Sequence, residues 1–184
     1  MMRVLYIQMK KISWKIVIFL YIIQIILFQI MNHFTFPVIQ EHLGELKMFD
    51  MMKQGYDLEI ATSILQTIGE QGRFVYLFRQ MPIDFIYPVV MGTVYYLVLV
   101  KTSAKFHYCY FILPILLIFC DWLENCCIIF MLTGHPLSAM MVRCSSCLTQ
   151  LKVLLGDYLL YFIAIISLAI YGIRILREHC NQKK

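Results

Sequence analysis

Asp121, Glu124 and Asn125 stand at i, i+3 and i+4 in one apolar run, a spacing that stacks three polar side chains on a single helix face. Lys152 and Asp157 interrupt a later apolar run, and Asp84 and Tyr87 open an earlier one. An ionised group in an apolar medium must pair, coordinate or change its protonation, so these residues suit proton holding, cation binding or recognition of a cationic ligand. One ionised side chain at a bilayer centre costs roughly 2.5–3.5 kcal/mol on insertion scales. Asp121, Glu124, Lys152 and Asp157 left against lipid would cost on the order of 10 kcal/mol together, comparable to the whole stability of a domain. They are therefore expected to turn inward at a shared depth. Asp121 and Glu124 would form the acidic centre, Asn125 would orient them, and Lys152 would be the counter-ion. Arg79 or Arg73 would reach Asp84 from the edge. The expected occupant is a small cationic or lipid-like ligand, or a cation. The alternative use of the same residues is an interhelical polar clamp in a purely structural or assembly protein.

A second chemistry lies in the cysteines, seven in all, of which Cys144-Ser-Ser-Cys147 is a C-x-x-C ahead of the last apolar run. At a helix start such a thiol is activated by the helix N-terminus, with Arg143 adding positive charge. Outside the cytoplasm a disulfide there would persist. Four spans with a C-x-x-C before the last resemble the vitamin K epoxide reductase and quinone-linked disulfide-bond oxidoreductase families. The resemblance implies a membrane thiol–disulfide oxidoreductase with Cys144 and Cys147 as its redox pair, supplied by a second pair in an outer loop. No cysteine stands between Phe34 and Val100. Cys109, Cys120, Cys126 and Cys127 are expected to be buried small apolar residues. No phosphate-cradling glycine loop, H-E-x-x-H or G-x-S-x-G is present, and nothing names a cofactor or a metal.

These residues need elements to position them, and composition says which. Of 184 residues, 61% are hydrophobic and 15% charged, with a mean hydropathy of +0.73. Soluble domains are nearer about 45–50% apolar and about 25% charged. The expected class is an all-α membrane protein, a bundle of four transmembrane helices forming a single domain over 1–184. The spans are expected at about 14–33, 83–100, 106–132 and 148–173, each near the ~20 residues a bilayer requires. They are apolar all round rather than alternating, which favours helices over a barrel. Pro82 suits the first turn of the second span, and Pro88 and Pro114 would bend the second and third.

Residues 34–82 are expected to form an amphipathic helical cap outside the cytoplasm. Asp57 would cap a helix whose Ala61, Ile64, Leu65 and Ile68 make one apolar stripe. Gly69 and Gly72 would end that helix, and Met48, Met51 and Met52 would pack. The basic residues set the orientation. Arg3, Lys10, Lys11, Lys15, Lys101, Lys105, Arg174, Arg177, Lys183 and Lys184 fall on one side, whereas 34–82 carries six acids and four bases. Both termini are thus expected in the cytoplasm, with an uncleaved first span. The net charge of +5 belongs to this topology and to the anionic leaflet. The expected partners are the lipid bilayer and a membrane protein to which the chain could be accessory, not nucleic acid.

Overall fold

The computed structural model describes residues 2–105 and 107–182, with the side chains of 2–5 and 182 left aside. Phe106, Lys183 and Lys184, used above for topology and a span boundary, lie outside the described residues, as does the side chain of Arg3. The described chain is helical, without strands. Its elements are α1 (Met2–Lys10), α2 (Trp14–Ile30), α3 (Phe36–Leu43), α4 (Leu58–Thr67), α5 (Gly69–Val75), α6 (Met81–Thr102), α7 (Cys109–Leu132), α8 (Ala139–Val153) and α9 (Tyr161–Gln182).

Four continuous helices are long and apolar enough to cross a membrane: Trp14–Leu43, Gly69–Thr102, Cys109–Leu132 and Ala139–Asn181. Three of them join shorter helices through π turns, at Met31–Thr35, Tyr76–Gln80 and Leu154–Leu160. Two of these turns have a clear cause. Pro37 and Pro82 stand two positions after them, and a proline ring clashes with the carbonyl four residues back. Those carbonyls belong to His33 and Phe78, inside the wider turn, where the Phe36 and Met81 N–H groups bond to Met31 and Tyr76 instead. The two π turns also meet: Thr35 and Gln80, both buried, are hydrogen-bonded to each other.

The helices therefore overrun the expected spans. The first continues to Leu43, the second begins at Gly69, and the fourth begins at Ala139, so the segment between the first two spans shrinks from 34–82 to 44–68. The expected ends at residues 33 and 83 left out Gln40, Glu41 and Gln80; the first two share α3 with the fully buried Ile39 and Leu43, and Gln80 is itself buried and bonded to Thr35. Asp57 caps α4 through its Oδ1, which accepts from the Ile60 N–H at 2.9 Å. Ala61, Ile64, Leu65 and Ile68 are all buried in the largest apolar cluster, with Leu43, Phe49, Tyr76 and Ile128. Gly69 does end α4, at φ +61°. Gly72 does not break a helix. It lies inside α5, where an added Cβ would stand 2.7 Å from Ile68 and 3.0 Å from His42, so it permits close contact between α5 and α3.

At the opposite end both termini gather. Lys10 Nζ donates to the Ser103 carbonyl at 2.8 Å, Lys101 sits 4.9 Å from the Trp14 ring centre, and Trp14 meets Tyr171 at 5.8 Å between ring centres. Between the two ends α2 exposes Ile18, Phe19, Ile22, Ile25 and Ile26.

Candidate functional site

The polar residues of the second, third and fourth helices converge beneath the 44–68 segment. On α7 the side chains at Cys120, Asp121, Glu124, Asn125 and Ile128 are buried, while Trp122, Leu123 and Cys126 are exposed. This is the helical period placing three polar groups inward. Lys152 comes from α8 one turn after Thr149, on the same face. Its Nζ lies 2.5 Å from Glu124 Oε2, 3.7 Å from Asp50 Oδ1 and 3.9 Å from Asp121 Oδ1. Glu124 is fully buried, and its other oxygen accepts from the Thr149 hydroxyl at 2.6 Å. Asn125 Nδ2 donates to Asp121 Oδ1 and to the Asp84 carbonyl, each at 3.3 Å, which ties α7 to α6.

Asp50 descends from a single 3-10 turn, Phe49–Met51, in the connecting segment. Phe49 and Met48 are fully buried and drag it inward. Its Oδ2 accepts from the Tyr76 hydroxyl at 2.6 Å. Three carboxyls, Asp50, Asp121 and Glu124, thus stand within 4 Å of one ammonium, and a fourth, Asp84, lies close by. Asp84, only 6% exposed, receives no cation within ion-pair distance among the described residues, and its Oδ2 has no hydrogen-bond partner there. Asn125 Oδ1 is likewise buried without a partner.

A cavity of about 560 Å³ opens beside this cluster. Asp50, Asp84, Asp121 and Lys152 supply the inner part of its polar wall, Glu45 and Lys47 add charges from the connecting segment, and Phe28, Met31, Tyr87 and Met91 give much of its apolar wall. Such a volume is within the ~300–1,000 Å³ usual for small-molecule pockets. Asp157 and Lys53 stand at the mouth, paired at 2.8 Å and both well exposed. That contact raises the Lys53 pKa above its ordinary value, through its hydrogen bond to Asp157 and the carboxylate's charge.

Asp121, Glu124, Asn125, Lys152 and Asp84 are brought together, and Tyr87 lines the same cavity. Two expectations are corrected. Asp157 lines the cavity but does not turn inward to the buried cluster, because the π turn at Leu154–Leu160 leaves its side chain half exposed at the rim. Arg79 is exposed and makes no ion pair with Asp84 among the described residues. Arg73 instead donates to the backbone carbonyls of Leu132 and Leu65, at 2.8 and 2.5 Å, closing the ends of α7 and α4.

The C-x-x-C is corrected as well. It does not sit at a helix start: α8 begins at Ala139, capped by the Ser138 side chain at 3.1 Å from the Met141 N–H. Cys144 is past the first turn, where the terminal dipole effect has faded. Both cysteines are free and exposed. Helix neighbours three apart hold their Cβ atoms about 5–6 Å from one another, and a disulfide needs about 3.5–4.5 Å, so bridging them would bend α8. The serines between them face inward. Ser146 Oγ accepts from the Tyr56 N–H at 2.8 Å, and Ser145 Oγ meets the Tyr56 hydroxyl at 2.7 Å. Burial pushes the Tyr56 pKa up, so its phenol stays neutral. Of the four cysteines expected to be buried, only Cys120 is; Cys109 and Cys126 are exposed and Cys127 is half-buried.

Residues not anticipated from sequence are Asp50, Tyr76, Thr149, Ser145 and Tyr56. Thr149 carried a usable signal, three positions before Lys152. Asp50 carried a weaker one, an acid set among Met48, Phe49, Met51 and Met52. No set of three or more His, Cys, Asp or Glu side chains is grouped to hold a metal ion among the described residues. Compared with known proteins, the chain matches no family model, no curated protein and no solved structure.

Proposed function

We propose that this chain is a multi-pass membrane protein that binds a small cationic ligand in the acid-lined cavity between its helices. The observation that carries the reading is the charge imbalance at the cavity wall. Five acids (Glu45, Asp50, Asp84, Asp121 and Asp157) line it against three lysines (Lys47, Lys53 and Lys152), Lys152 is already engaged by Glu124, and Asp84 keeps an unpartnered oxygen. An ammonium group entering the cavity would supply the missing donor and offset the excess negative charge. Membrane embedding is supported by the four long apolar helices and by the many large apolar side chains that α2 exposes, since soluble monomers rarely expose apolar patches beyond a few hundred Å². In this arrangement both termini face the cytoplasm, as the basic residues at that end favour. Residues 44–68 then cap the bundle on the opposite side, and the cavity opens outward.

The test is binding of octylamine against octanol to the protein in phosphatidylcholine nanodiscs, followed by the fluorescence of Trp122, which is hydrogen-bonded to the Phe85 carbonyl on α6. The amine is expected to bind and the alcohol to bind at least ten-fold more weakly, with Asp84→Asn erasing the difference. Equal binding of amine and alcohol, or amine binding indifferent to Asp84→Asn and Asp121→Asn alike, would refute the proposal.

A further inference from the structure

The acid-lined cavity has a companion. A second cavity, of about 320 Å³, lies closer to the termini and is walled by Val17, Ile18 and Tyr21 of α2, Val94 and Val98 of α6, and Ala164 and Ile165 of α9. Its lining is apolar apart from tyrosine hydroxyls and the Trp14 ring nitrogen. Both cavities share the same construction. The helix containing α2 forms one wall, α6 the floor, and the helix containing α9 the other wall, because α2 and α9 each pack on α6. They meet at Tyr95. Its ring lines the lower cavity, and its hydroxyl donates to the carbonyl of Gly156, which lines the upper one, at 3.2 Å. Below, the Trp14–Tyr171 ring contact narrows the furrow.

We propose that the two cavities are one site, and that its ligand is a single-tailed cationic amphiphile with the amine among Asp50, Asp84 and Asp121 and the hydrocarbon tail in the furrow between α2 and α9. This rests on the cationic-ligand reading above and deepens it to a ligand class. Three observations support it. The polar and apolar parts are stacked along one helix, and from Asp84 to Val98 is about 21 Å at about 1.5 Å per residue, the length scale of a long alkyl chain. The furrow is open on its outer side, where Ile18, Tyr21, Tyr161 and Ile165 are all more than two-fifths exposed, so a lipid-dissolved molecule can enter sideways. The head cavity disfavours phosphate, since acids outnumber lysines on its wall by five to three (Glu45, Asp50, Asp84, Asp121 and Asp157 against Lys47, Lys53 and Lys152). In a bilayer the tail gains nothing by leaving water, because the surrounding lipid is equally apolar. What the furrow offers is close packing around one chain, and the selectivity comes from the head.

The experiment uses the full chain in phosphatidylcholine nanodiscs and hexadecylamine carrying a diazirine at the chain end. Photolabelling is expected to concentrate on Val94–Val98 and Tyr161–Leu168. Excess octylamine should suppress it, and the matching hexadecanol probe and a lysophosphatidylcholine probe should label these segments at least ten-fold less. Asp84→Asn, or Asp121→Asn should the first fold poorly, is expected to cut the labelling ten-fold. Ile165→Trp, at an exposed position, should do the same by filling the furrow. Labelling spread evenly onto the exposed Ile112, Leu116 and Phe119 of α7, or alcohol labelling equal to amine labelling, would overturn the tail site. If octylamine binding still depends on Asp84 in that case, the cavity reading stands and the tail site alone falls; if octylamine does not bind, both fall.

Discussion

Lys152 is the residue on which the interior electrostatics turn. Among the described residues its ammonium is the sole cation within 4 Å of Asp50, Asp121 and Glu124. Removing one partner of a buried pair typically costs about 3–5 kcal/mol, because the surviving charge is left without compensation. Lys152→Met is therefore expected to lower stability by about that amount. Lys152→Met combined with Glu124→Gln should be less destabilised than Lys152→Met alone, since the double variant removes the closest orphaned carboxylate. Thermal unfolding in nanodiscs, read as a double-mutant cycle, checks the order. A double variant at least as unstable as the single would mean that Glu124 and Lys152 are not coupled. Asp84 behaves differently: having no partner to strand, its Asn variant should fold normally and fail in binding.

At the level of the elements, the packing of α5 against α3 depends on an absent side chain. An added Cβ at Gly72 would come within 3.0 Å of Ile68 and His42, in the region where the π turns at Met31–Thr35 and Tyr76–Gln80 touch through Thr35 and Gln80. Gly72→Val should thus cost about 1–3 kcal/mol by overpacking and loosen the seat of the 44–68 segment that carries Asp50. Hydrogen exchange is the measurement, with faster exchange expected in α3, α5 and Phe49–Met51 and no change in α9. Unaltered protection of Phe49–Met51 would show that Asp50 is held by Tyr76 and its own apolar neighbours without help from this contact. The interior glycine reads in sequence as a helix breaker, and only the neighbouring helix gives it the opposite role.

For the molecule as a whole, the two ends differ in exposed thiols. Cys144 and Cys147 are exposed near the 44–68 end, and Cys180 is exposed near the termini. In intact cells a membrane-impermeant maleimide is expected to label single-cysteine variants retaining Cys144 or Cys147. Cys180 should react only after permeabilisation. Labelling of Cys180 alone in sealed cells would invert the orientation, and equal labelling of both would remove the membrane span between them. The same exposure argues that the C-x-x-C is surface, while its two serines hold Tyr56 and thereby the segment above the cavity.

The sequence by itself determined the class of elements and the inward-facing acids. Long apolar runs can satisfy their backbone in lipid only as helices, and the i, i+3, i+4 spacing of Asp121, Glu124 and Asn125 puts them on one face wherever that helix sits. The Asp57 cap and the Ala61–Ile68 stripe were legible for the same reason, since both depend on near neighbours. Tertiary structure alone decided what depends on distant partners. Asp50 has no periodic context and enters the cluster because Phe49 and Met48 bury beside it. Helix ends beyond Asn32 and before Pro82 persist because neighbours cover them, not because their composition is apolar. Which pair of Cys144-Ser145-Ser146-Cys147 faces inward is set by the rotation of α8, at about 100° per residue, and Tyr56, some 90 positions away in the chain, selects the serines.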